Sequence, residues 1–121
     1  MAEQTDAWPK ELRLGKDRDS LTVAFDDGAS FVLAAEYLRV MSPSAEVQGH
    51  SPAQRQTVGF KRDVRISSLE PVGNYAVRVV FDDGHDTGLF SWEYLYELGR
   101  DHGKRWAQYL EELEAKGLAR G

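Results

Sequence analysis

Residues Phe81-Asp82-Asp83-Gly84-His85-Asp86 lie between two apolar runs, and how this stretch is read decides the fold. Its first four residues repeat Phe25-Asp26-Asp27-Gly28. The chain alternates before each copy. Leu21, Val23 and Phe25 fall on one face of a strand, and Tyr75, Val77, Val79 and Phe81 on one face of another. An apolar run resumes after each copy, Phe31 to Leu33 in the first and Thr87 to Phe90 in the second. Two such runs joined by Asp-Gly specify a β-hairpin. The expected turn is type I′, with positive φ at both central residues, Asp27-Gly28 and Asp83-Gly84. Adjacent side chains in so tight a turn diverge. The paired aspartates are therefore turn residues, not two carboxylates held at a defined gap for acid–base chemistry.

The repeat extends past the turn. Phe25 precedes Phe81 by 56 positions, and Glu36-Tyr37-Leu38 precedes Glu93-Tyr94-Leu95 by 57. Each half reads strand, Asp-Gly turn, strand, Glu-Tyr-Leu, with one residue inserted in the second. Earlier strands are expected at Glu11 to Leu14 and at Val64 to Leu69, the latter joined to the second hairpin by a turn at Gly73-Asn74. Ser91 is a good helix N-cap, with Glu93 in the first turn. Gly99 and Gly103 break that helix, and a second one carries the stripe Trp106, Tyr109, Leu110 and Leu113, ended by Gly117. The stripe suits core packing better than a partner groove. The expected fold is α+β: a small, mainly antiparallel β-roll of two hairpin-containing halves with C-terminal helices. Residues 1–9 read as a flexible arm, 10–117 as a single domain and 118–121 as a tail.

The 121 residues suffice for one domain with its own core. There is no cysteine, which removes disulfides, thiolate metal sites and cysteine nucleophiles, and suits the cytoplasm without requiring it. No signal-peptide pattern and no membrane-spanning run are evident. A net charge of −5 argues against nucleic acid as partner. The basic stretch Arg55, Lys61, Arg62 and Arg65 reads as a solvated loop edge.

His85 draws most interest, since it follows the turn and adjoins Asp86. It reads either as a hydrogen-bonded residue fixing the hairpin exit or as a metal ligand oriented by a carboxylate. A second polar cluster runs from Ser42 to His50, where Ser42 and Ser44 suit capping and Arg39, Glu46 and His50 could line a polar site. Ser44, a histidine and Asp86 invite comparison with a catalytic triad, but no nucleophile elbow and no phosphate-binding glycine loop are present.

Tyr37-Leu38-Arg39, the stretch from Ser42 to His50, Val72 to Val77 and Phe81 to Trp92, in this order, resemble the small bacterial domain described as gamma-butyrobetaine hydroxylase-like N-terminal, over about residues 9–115. In the hydroxylases this domain precedes an iron and 2-oxoglutarate oxygenase domain and holds a structural zinc through three cysteines and one histidine. A similar domain elsewhere is joined to a P-loop ATPase linked to iron–sulfur cluster assembly. The present chain looks like the domain standing alone. The cysteine positions of that pattern fall on Ser42, Ser44 and Val47, and the zinc histidine on or beside His85. Two hydroxyls and an isopropyl group do not replace thiolates, so the hydroxylase-type zinc site is expected to be absent. Hydrogen bonds from Ser42, Ser44 or Glu46 to His85 are expected instead. The oxygenase facial triad does not carry over, because no His is followed two places later by a carboxylate.

These readings favour a non-enzymatic accessory or protein-interaction module with no required cofactor. Its expected binding surface is Arg39, Ser42, Ser44, Glu46, His50, His85 and Asp86, and its expected partner is a P-loop ATPase of iron–sulfur assembly. The alternative is a weak iron or zinc site built from His85 with His50, Asp86 or Glu46. A small enzyme ranks last.

Overall fold

A computed structural model of the chain describes residues 7–48 and 56–121, apart from the side chains of Ala45 and Glu46. The strands are β1 (Pro9–Leu14), β2 (Ser20–Phe25), β3 (Ser30–Ala34), β4 (Ile66–Val72), β5 (Ala76–Phe81) and β6 (Gly88–Ser91). The helices are α1 (Ala35–Val40), α2 (Ala45–Gln48), α3 (Trp92–Arg100) and α4 (His102–Ala115). Two antiparallel three-stranded sheets form, β1-β2-β3 and β4-β5-β6, each followed by a helix. The class is α+β, as the hydrophobic pattern implies. Leu21, Val23, Phe25, Val77, Val79 and Phe81 all point into one core, whereas Tyr75, just before β5, lies 55% exposed. Among the described residues no helix is long and apolar enough to cross a membrane.

Both Asp-Gly stretches form hairpins, but not through the expected type I′ turn. Among the described residues only Arg18 and Phe60 take positive φ without being glycine, so Asp27 and Asp83 do not. Gly28 and Gly84 do, at 93° and 92°. Gly28 N–H donates to Phe25 C=O, and Phe25 N–H to Ala29 C=O; Gly84, Phe81 and His85 repeat this. Each loop is thus a type I turn closed by a glycine bulge, in which only the glycine needs the left-handed region. The aspartates serve the turn twice over. Asp27 and Asp83 accept from the N–H two residues on, Ala29 and His85. Asp26 and Asp82 accept from Trp8 N–H and Arg65 N–H, and return a bond to the carbonyls of those same residues. That ties β1 and β4 to the turns beside them.

The halves share one topology and grip each other through reciprocal contacts. Tyr37 OH on α1 donates to Leu98 C=O, and Tyr94 OH on α3 donates to Met41 C=O. Tyr96 OH donates to Asp27 of the first turn; Arg39, its counterpart on α1, donates to Asp83 of the second. Each helix therefore reaches across to the other half's turn. The helical break falls at Asp101, between Gly99 and Gly103. Gly117, with φ of 66°, ends α4 in a Schellman motif: Gly117 N–H donates to Glu114 C=O and Leu118 N–H to Leu113 C=O. Residues 118–121 then run back along residues 59–62.

Candidate functional site

The two halves differ beneath their turns. In the first, Ala29 leaves the turn, and Phe31 packs with Phe25 and Tyr96 in an edge-to-face cluster, ring centroids 4.9 to 6.1 Å apart. In the second, His85 takes the place of Ala29 and Gly88 that of Phe31. The registers Val23↔Phe31 and Val79↔Gly88 locate the inserted residue between His85 and Gly88, just past the turn. There His85 is only 4% exposed.

Ser42 meets it. The Ser42 hydroxyl lies 2.8 Å from His85 Nε2 and also accepts from Ser44 N–H. Ser44 Oγ lies 2.7 Å from Thr87 Oγ1, and Gln48 Nε2 donates to Ser42 C=O at 2.9 Å. A Cβ on Gly88 would stand 2.6 Å from Ser42 Oγ, so only glycine admits this serine. His85 also packs against the Phe81 ring, with centroids 5.9 Å apart. Buried polar groups persist when paired, and this plug is held together by such pairs.

The residues singled out in the sequence divide accordingly. Ser42, Ser44 and His85 come together but are buried, so they support a surface rather than form one. Arg39 lies nearby and donates to Asp83, which also receives Lys61 Nζ at 2.6 Å. Burial alone would raise the Asp83 pKa, but hydrogen bonds from Lys61, His85 N–H and Arg39 outweigh it and bring the pKa down to about 2. Asp86 does not join His85: it is exposed, and its carbonyl accepts from Arg78 on the outer face of β5. His50 and the Glu46 side chain lie outside the described residues. Thr87, Gly88 and Gln48 were not singled out, although Gly88 standing where the first half has Phe31 could have flagged the site.

The donor set does not fit the zinc site of three thiolates and one imidazole. Val47, 1% exposed, offers no ligand. Two ligands on one tetrahedral zinc, each about 2.0 Å away, stand about 3.3 Å apart; the 2.8 Å between Ser42 Oγ and His85 Nε2 is a direct hydrogen bond. Among the described residues no three His, Asp or Glu side chains gather to hold a metal.

Beside the same loop lies an open cleft of about 460 Å³, lined by Met41, Pro43, Gln48, Tyr94, Arg105 and Gln108. The Arg105 guanidinium sits 5.8 Å from the Tyr94 ring centroid and 3.6 Å from Glu97.

Two solution structures determined by NMR are each 45% identical to the chain. One covers 94% of this chain and 90% of its own, with a TM-score of 0.81; the other covers 99% and 90%, at 0.83. A crystal structure of a protein of unknown function from Acidithiobacillus ferrooxidans ATCC 23270, placed in the DUF971 family, is 36% identical over 75% of this chain and 91% of its own, at 0.61. No curated protein matches. Residues 12–96 match the family described as gamma-butyrobetaine hydroxylase-like, N-terminal, and the chain belongs to that family.

Proposed function

We propose that this domain is a non-enzymatic accessory module that binds a protein partner through the cleft beside the Met41–Gln48 loop. One observation carries the reading. The Ser42–His85 pair, which has the spacing of a nucleophile and its base, is sealed in the core with Ser42 at 0% exposure, while the adjoining cleft is open. A buried hydroxyl held between His85 and Ser44 N–H supports the loop; it does not meet a substrate carbonyl. The cleft presents amides, a thioether, an aromatic face and one guanidinium, groups that suit a polypeptide surface. A P-loop ATPase of iron–sulfur assembly is the partner suggested by domain fusions among similar proteins, and the cytoplasm is the compartment taken.

The test is an amide NMR titration of the tag-free chain with the purified ATPase. Shifts concentrated at Gln48, Tyr94, Arg105 and Gln108, with affinity at least about tenfold weaker in Arg105→Ala, are expected. Shifts elsewhere, or an Arg105→Ala variant that binds unchanged, sink the reading. Anaerobic Zn(II) and Fe(II) titrations of the same sample address the metal alternative: a saturable response at His85 would put metal handling in place of partner binding.

A further inference from the structure

Glu36 is a carboxylate at 6% exposure. Its counterpart in the second half, Glu93, is exposed. Residues 118–121, which no part of the repeat supplies and which lie beyond the family match at 12–96, reach Glu36. Arg120 reaches Glu36 with a two-pronged hydrogen bond, Nε to Oε2 at 2.9 Å and the second nitrogen to Oε1 at 2.8 Å. The same guanidinium lies 5.2 Å from the Trp106 ring centroid. Phe60 N–H donates to Ala119 C=O and Arg62 N–H to Arg120 C=O, each at 2.8 Å. Leu118 packs against the core. Gly59 lets the segment approach, since a Cβ there would stand 3.0 Å from Ala119 O.

Features of linear-peptide recognition are present: main-chain hydrogen bonds, an apolar anchor, and an arginine between a carboxylate and an aromatic face. We propose that the groove formed by Glu36, Gly59–Arg62 and Trp106 is a recognition site for a Leu-x-Arg segment of a partner protein, and that Leu118–Gly121 holds it closed in cis. This goes beyond the proposed function and does not rest on it, because the groove is separate from the Arg105 cleft. The tethered occupant competes at an effective concentration on the order of millimolar, so an outside segment gains entry when the tether loses its arginine or when a partner supplies a second contact.

The test uses the full chain and a fluorescein-labelled peptide of sequence Lys-Gly-Leu-Ala-Arg-Gly. Arg120→Ala, which keeps the backbone of the segment but empties the Glu36 site, is expected to bind the peptide at least tenfold more tightly than the unaltered chain. The peptide should quench Trp106 and shift the amides of Phe60 and Arg62. Replacing the peptide's Arg by Ala, or adding Glu36→Gln to the receptor, should abolish binding. If Arg120→Ala does not fold, Arg120→Lys, which keeps the charge and loses the two-pronged geometry, should show an intermediate gain. Equal binding by the unaltered chain and the folded variant, or binding indifferent to the peptide's Arg, overturns the proposal. A failure here leaves Gln48 and Gln108 unmoved, so it is distinguishable from a failure at the cleft.

Discussion

The two halves solve one packing problem in opposite ways. At the crossing of each helix with the other half's last strand, one residue must be large and the other small. In the first sheet Phe31 is the large one, and it lies over Gly99 of α3. In the second sheet the strand residue is Gly88, and the chain at the end of α1 supplies Ser42. Phe31 corresponds to Gly88, and Gly99 to Ser42. Exchanging which side carries the bulk turned an aromatic plug into a polar one, with His85 entering where the first half has Ala29. The candidate site is therefore a departure from internal symmetry rather than an added loop.

The largest predicted effect tests the apolar version. A Cβ at Gly99 would overlap the Phe31 ring. Gly99→Ala should gain up to about 1 kcal/mol of helix propensity, yet lose about 3 kcal/mol through forced displacement, a net fall of about 2 kcal/mol. The urea midpoint reads this directly. Phe31→Leu in the same chain should recover part of the loss. A Gly99→Ala variant as stable as the parent would show that the two crossings are not equivalent.

The polar version should respond as a pair. Ser42→Ala leaves His85 Nε2 without this partner, and His85→Ala leaves the Ser42 hydroxyl and a void. Each should cost about 2 kcal/mol. The double variant should cost less than the sum by about 1 kcal/mol, the signature of a direct bond. Additive losses would mean that the 2.8 Å contact contributes nothing of its own.

Much of this was legible in the sequence, for reasons that can be named. Alternation at Leu21, Val23 and Phe25 and at Val77, Val79 and Phe81 is a local property of strands, and the glycine-bearing turns are equally local. The Ser42–His85 contact was foreseeable because residues aligned with a known metal site must lie close together. The turn type was missed because Asp-Gly serves both a type I′ turn and a type I turn with a glycine bulge; the choice depends on whether two residues or three are left unpaired, and the reciprocal bonds of Asp26 to Trp8 and of Asp82 to Arg65 favour the bulge. The exchange of bulk between Phe31–Gly99 and Gly88–Ser42 could not be read locally, since each partner sits in the opposite half. Nor could the pairing of Glu36, whose partner is an arginine 84 residues away.

A smaller effect separates the two turns by charge. Asp83 meets Arg39 and Lys61, whereas among the described residues Asp27 meets Tyr96 and Ala29 N–H. Asparagine keeps the turn acceptor in both places. Asp83→Asn should cost about 1.5 kcal/mol, because Arg39 is 11% exposed and loses its counter-charge; Asp27→Asn should cost clearly less, because its carboxylate faces solvent. Acid supplies an independent check. The Asp83 pKa falls from 3.8 to about 2 on folding, so its contribution is complete above 3.8 and is lost as pH drops toward 2. Asp83→Asn should remove that part of the acid limb, and a limb left unaltered would place the acid-sensitive charge elsewhere.

The tyrosine pair gives the finest comparison. Tyr37 and Tyr94 make the same bond, each to a carbonyl of the other half, but Tyr37 is fully buried beside His102 and Trp106 while Tyr94 borders the open cleft. Tyr37→Phe leaves Leu98 C=O without this partner in a dry corner and should cost about 1 kcal/mol. Tyr94→Phe lets water reach Met41 C=O and should cost under about 0.5 kcal/mol. Alkali sharpens the contrast. Burial raises the Tyr37 pKa well above its ordinary 10.0, so stability is intact below that value and declines as pH climbs past it, where only the unfolded chain ionises. The decline should be shallower in Tyr37→Phe than in the parent, with Tyr109, raised to about 12 by burial, and Tyr96, raised by its hydrogen bond to Asp27, contributing to what remains. Equal costs for the two phenylalanine variants would show that the cleft side is as well sealed as the α4 side, which would remove the opening on which partner binding depends.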